Sequence, residues 1–165
     1  MTMETQNHNM AHPEKEHNKH YYKLLLMSIV SFIAMYILMY SMVDSFANVI
    51  SNVNQFYMAG LMTMPMIIIE MILMSGMYKN KKLNAFLLCI SSIALVAFYI
   101  FIRQQTGVSD KQFLKSMIPH HGAAILMVEQ ASLNDPEIKK LAEGIIKAQQ
   151  AEIAQMKAKL KELEK

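Results

Sequence analysis

The side chains best suited to chemistry in this 165-residue chain gather near its C-terminus. On a helix at about 100° per residue, Met117, His120, His121 and Met127 share one face with Ala124 and Val128. A second apolar stripe, Ile138, Leu141, Ala142, Ile145, Met156, Leu160 and Leu163, is interrupted on its own face by Gln149 and Glu152. Buried imidazole and carboxylate need partners to offset their lost hydration, and the thioethers beside them suggest a metal. Methionine sulfur is a soft donor that magnesium and calcium ignore, while imidazole suits borderline and soft ions. The set therefore favours Cu(I), with Ag(I) as a second soft ion, over iron or zinc. Adjacent histidines do not face one another on a helix, so one ion is not held by both unless Pro119 reorients them. The expected pairings are Met117 with His121 and His120 with Met127, in two subsites or shared between chains. Gln149 and Glu152 are expected to orient the imidazoles. A di-iron bundle would need Glu-x-x-His, but positions 117 and 118 are Met and Ile. That argues against iron, and it ranks a metal-dependent oxidase below a non-enzymatic metal-binding module.

A second concentration of sulfur lies between Met58 and Met77, where Met62, Met66, Glu70 and Met74 share a broad helical face. A carboxylate within an apolar span is costly and often functional, so this face is a possible intramembrane metal path in an oligomeric transporter or scaffold. Methionine is equally an adaptable packing residue. His8, His12, His17 and His20 stand in a polar tail that reads as solvated, with at most weak metal affinity. Cys89 reads as a small apolar residue within a span.

The elements that must position these residues are helical throughout. Apolar runs at Leu24–Val43, Tyr57–Tyr78 and Leu83–Ile102 each have about the 20-residue length needed to cross hydrocarbon. The first is too long, and preceded by too long a polar tail, for a cleaved signal peptide. Lys15, Lys19 and Lys23 precede the first run and Lys79, Lys81 and Lys82 follow the second, whereas residues 44–56 carry no lysine or arginine. The positive-inside bias places the N-terminus in the cytoplasm of an inner (plasma) membrane and residues 104–165 outside, in the periplasm or its equivalent. There Ser109 should cap one helix running to about Leu133, with Pro119 inside it. Asp135 and Pro136 should start another running to near Leu163. So short a turn makes an antiparallel hairpin, which is too small for a full core and is expected to complete a four-helix bundle as a homo-oligomer. The organisation is thus a 1–23 tail, a 24–103 membrane region and a 104–165 exported hairpin.

Composition agrees. Hydrophobic residues make up 53% of the chain and charged residues 18%, with 17 methionines and one cysteine. The mean hydropathy of +0.20 is too high for a disordered chain. One cysteine excludes an internal disulfide framework, and a dispersed net charge of +3 gives no reason to expect nucleic acid as a partner.

Phe113-Leu114-Lys115-Ser116-Met117-Ile118-Pro119-His120-His121, followed by Ala124-Ile125 and Met127, resembles the signature of the "domain of unknown function 305" family. Gln149, Glu152-Ile153 and Met156 are similar to its second motif. The resemblance covers about residues 109–160. It implies a ferritin-like helical fold and, by analogy with CopM-type members, copper binding at Met117, His120, His121, Met127 and Met156 in copper homeostasis or resistance. Copper exporters or chaperones would be partners. Longer members carry the His-pair motif twice, whereas this chain has it once. The resemblance therefore implies a bundle completed by a second subunit.

Overall fold

A computed structural model describes the backbone from Pro13 and side chains from Lys19 to the C-terminus. His8, His12 and the His17 side chain lie outside the described residues. The described chain is all-helical: α1 (Pro13–Leu38), α2 (Val53–Leu73), α3 (Lys81–Gln104), α4 (Asp110–Gln130) and α5 (Pro136–Leu163). Two 3₁₀ turns, Met39–Met42 and Phe46–Asn48, lie between α1 and α2.

Lys19–Met42, Val53–Leu73 and Lys81–Gln104 are long and apolar enough to cross a membrane. The second sits about a turn earlier than its apolar run suggests. Asn52 accepts the Gln55 N–H at 2.8 Å and so caps α2 ahead of Tyr57. At the other end, Ser75 and Gly76 open a turn in which the Met77 N–H reaches the Met74 carbonyl. Met74 and Met77, expected on the helix face, therefore lie beyond it.

Helix α2 packs against both α1 and α3. Its buried Ala59, Gly60 and Thr63 let neighbouring backbone approach closely, with the Phe98 ring lying against Gly60. At the opposite end, Leu24, Met71 and Tyr78 form a core joined by Met27, Ile67 and Leu87. There Tyr21 O–H donates to Asn84 Oδ1 at 2.6 Å, and Asn84 Nδ2 donates to the Tyr78 carbonyl. Much of the remaining apolar surface of α1 and α3, including Ile29, Ile33, Ile93 and Val96, faces outward. Such surface suits lipid as the solvent.

Helices α4 and α5 form the expected hairpin. Ser109 and Asp135 cap them, with Asp135 Oδ1 accepting the Glu137 and Ile138 N–H groups. The hairpin core is Ile118, Ile125, Ile153 and Leu160, with Leu114, Met156 and, from the segment before α2, Ile50. Ile138 and Leu141, expected on the buried stripe, are exposed. His121 lies opposite Glu152, so antiparallel packing carries the first turns of α5 past the end of α4.

The hairpin rests on the bundle end that holds residues 43–56, away from the lysine-bearing 79–82 turn. Gln112 Oε1 accepts the Val53 N–H at 3.1 Å. Asn54 Nδ2 donates to Gln105 Oε1 and Ser116 Oγ, and Tyr57 O–H donates to the Thr106 carbonyl. Farther along α4, the Asp44 N–H donates to the Gly122 carbonyl at 3.3 Å. Helix α4 thus runs from over the start of α2 to over the end of α1.

Candidate functional site

The two histidines project from α4 about 100° apart and meet different surroundings. His121 turns into the hairpin and is 9% exposed. Its Nδ1 lies 2.9 Å from the Met117 carbonyl and its Nε2 lies 2.7 Å from Glu152 Oε2. A carbonyl only accepts, so Nδ1 carries a proton and donates. Nε2 makes the second contact, with the Glu152 carboxylate. Both ring nitrogens are thereby engaged, and Nε2 becomes available to another ligand only when Glu152 moves. Glu152 is half exposed and free to swing outward. The carboxylate thus orients one imidazole, as its position on the stripe suggests. No hydrogen bond joins Gln149 to either imidazole among the described residues.

His120 is exposed on the neighbouring side of α4. It and Met117, one turn apart, border an open cavity of about 310 Å³ between α4 and the helix ends beneath it. No hydrogen bond engages the His120 ring among the described residues. The observed grouping is therefore Met117 with His120, rather than Met117 with His121 or His120 with Met127. The two rings stand 6.2 Å apart, centroid to centroid. Met127 is 56% exposed, and Met156 packs into the hairpin core. The five residues singled out as ligands thus occupy four environments, of which only Met117 and His120 share one.

Across the cavity stand Met39, Met42 and Met58, none of them among the ligands expected from the sequence. Their local structure explains their presence. Residues 39–42 form a 3₁₀ turn, in which positions three apart eclipse, so Met39 and Met42 project from the same side. Met58 follows in the second turn of the Asn52-capped α2. The signal that could have found them is topological. They sit at the ends of the first two apolar runs nearest residues 44–56, the end on which the hairpin was expected.

Glu70 accepts from Tyr78 O–H at 3.3 Å near the other end of α2. It lies about 18 Å along the axis from Met58 at 1.5 Å per residue. Met62 and Met74 face outward and Met66 is half-buried. Among the described residues no three His, Cys, Asp or Glu side chains gather in one place.

The profile of the family "Domain of unknown function (DUF305)" matches residues 69–160, which run from the last turn of α2 through the hairpin. The chain is 37% identical over 142 residues to an uncharacterized protein, L153, of Acanthamoeba polyphaga mimivirus, covering 84% of this chain and 91% of that protein. No solved structure matches. With most of the chain matched by both comparisons, it belongs to the domain of unknown function 305 family.

Proposed function

We propose that this chain is a membrane-anchored Cu(I)-binding protein that sequesters copper or hands it over on the extracytoplasmic side, and that it is not an enzyme. Ag(I) would bind through the same chemistry. The observation that carries this reading is the pairing of Met117 and His120 on one open face of α4, with the imidazole free of hydrogen bonds among the described residues. Thioether and imidazole together select soft monovalent ions over magnesium, calcium and zinc. His121 is an auxiliary ligand, freed when Glu152 releases Nε2. The three apolar helices hold the site at the bilayer, with the N-terminus cytoplasmic by the lysine bias. The exposed Ile138, Leu141 and Met127 fit association with a second hairpin, which would complete a ferritin-like four-helix bundle.

The test is an anaerobic Cu(I) titration of the full chain in nanodiscs against a competing chelator. Replacing both residues, Met117→Leu with His120→Ala, should weaken binding by at least about a hundredfold, or roughly 2.7 kcal/mol. Equal affinity in the wild-type and doubly substituted chains would sink the reading.

A further inference from the structure

We infer that the metal site is bipartite: Met39, Met42 and Met58 of the membrane region complete, with Met117 and His120 of the hairpin, a thioether-rich Cu(I) site at the junction between the two. This deepens the copper reading above and rests on it. The three added methionines lie outside the 69–160 segment that the family profile matches.

Three observations converge. First, four thioethers and one imidazole from three separate segments border a single space, although those segments are far apart in sequence. Second, these residues line an open volume and not a closed core. The space of about 310 Å³ is many times the roughly 30 Å³ share of one water molecule, and Met42 and Met58 remain partly exposed around it. Methionine recruited only as packing would close such a gap, since its flexible chain is suited to filling irregular space. Third, the lining bears no carboxylate and no amine. Beside the sulfurs and His120 it offers the amides of Asn52, Asn54 and Gln55 and the hydroxyls of Tyr40 and Ser116. Calcium and magnesium require anionic or densely packed oxygen ligands, which this wall does not supply. A monovalent soft ion needs none and is matched by neutral sulfur and nitrogen.

The arrangement has a functional consequence for transfer. Ligands from both sides of the junction would hold the same ion, so copper can pass between membrane segment and exported hairpin by exchanging one thioether at a time. The volume exceeds what one ion occupies, so binding should draw α4 toward residues 39–42 and the start of α2.

Two measurements on the full chain in nanodiscs test this. In the first, peroxide oxidation of methionines is mapped by mass spectrometry with and without Ag(I) as a redox-inert stand-in. Met39, Met42, Met58 and Met117 should be protected together, while the outward-facing Met62 should not. Protection confined to Met117 overturns the inference. In the second, Met39→Leu, Met42→Leu and Met58→Leu are combined, which conserves volume and removes only sulfur. Cu(I) affinity should fall by at least about tenfold, and sulfur scattering at the copper X-ray absorption edge should diminish. A control carrying Met27→Leu, Met35→Leu and Met64→Leu should match wild type. If the first triple variant also matches wild type while Met117→Leu with His120→Ala abolishes binding, copper binding stands and the bipartite site fails. If the wild-type chain binds no better than that double variant, the copper reading itself fails.

Discussion

Two glycines in the hairpin should respond in opposite directions to the same substitution. Gly122, inside α4, lies directly beneath the 43–44 segment. A Cβ built there would collide with Asp44 Oδ1 and stand 3.0 Å from Val43 Cγ1. Asp44 cannot simply turn aside, because Asn48 Nδ2 holds its Oδ1 at 2.7 Å and its own N–H reaches the Gly122 carbonyl. Gly144, inside α5, has nothing within 4 Å of the corresponding position. Alanine at either site gains about 0.5–1 kcal/mol of helix propensity. At Gly122 that gain is opposed by overpacking of about 1–3 kcal/mol and by loss of a backbone hydrogen bond worth about 1 kcal/mol. The net effect of Gly122→Ala is a junction weakened by about 2 kcal/mol, whereas Gly144→Ala stabilises its helix by the propensity gain alone. Hydrogen exchange with mass spectrometry reads the difference peptide by peptide in nanodiscs. Amides of residues 40–48 should exchange about thirtyfold faster in Gly122→Ala, the equivalent of that 2 kcal/mol. Those amides should be unchanged in Gly144→Ala. If residues 40–48 exchange at wild-type rates in both variants, the segment is not seated on α4, and the cavity between them loses its wall.

Two further substitutions probe the rest of the framework. Glu152→Ala leaves His121 Nε2 buried without its partner and should lower hairpin stability by about 1 kcal/mol, a value kept small because the carboxylate is half exposed. Glu152→Gln keeps a hydrogen-bonding group and should recover most of the loss in thermal unfolding; equal Tm values for the two variants would count against the contact. Between α2 and α3, Gly60→Leu drives a side chain into the Phe98 ring and should cost about 1–3 kcal/mol of helix association. Phe98→Ala should relieve part of that cost in a double-mutant cycle in bicelles, and strict additivity would show that the ring does not lie against Gly60.

Local signals were readable from the chain because they act over a turn or less. Ser109, Asp135 and Pro136 mark helix starts where the structure has them, since a cap is satisfied by N–H groups two or three residues away. The three apolar runs likewise correspond to three helices, although Asn52 starts the second ahead of its most apolar stretch. The division of labour between His120 and His121 was half legible. Their angular separation follows from helix geometry, but which one meets the carboxylate depends on how α5 is rotated. The placement of Met39, Met42 and Met58 around the cavity was not legible from composition, because in an apolar run a thioether facing a cavity and one facing outward look alike. Only the placement of α4 across the bundle end separates them. That placement rests on contacts as scattered as Gln112 with Val53 and Gly122 with Asp44.

Ile50, wedged into the hairpin core between Ile118 and its neighbours, ties the order of folding to the order of synthesis. A free chain would meet a substantial closure entropy in joining positions so distant. Here two packed helices span the gap and reduce that cost in advance. The hairpin core is complete only when the segment before α2 is seated against it. A nascent chain whose helices are misassembled would present a gap beside Ile118, a lesion that cellular proteases can read. Surveillance of the anchor would then be exerted through the domain it carries.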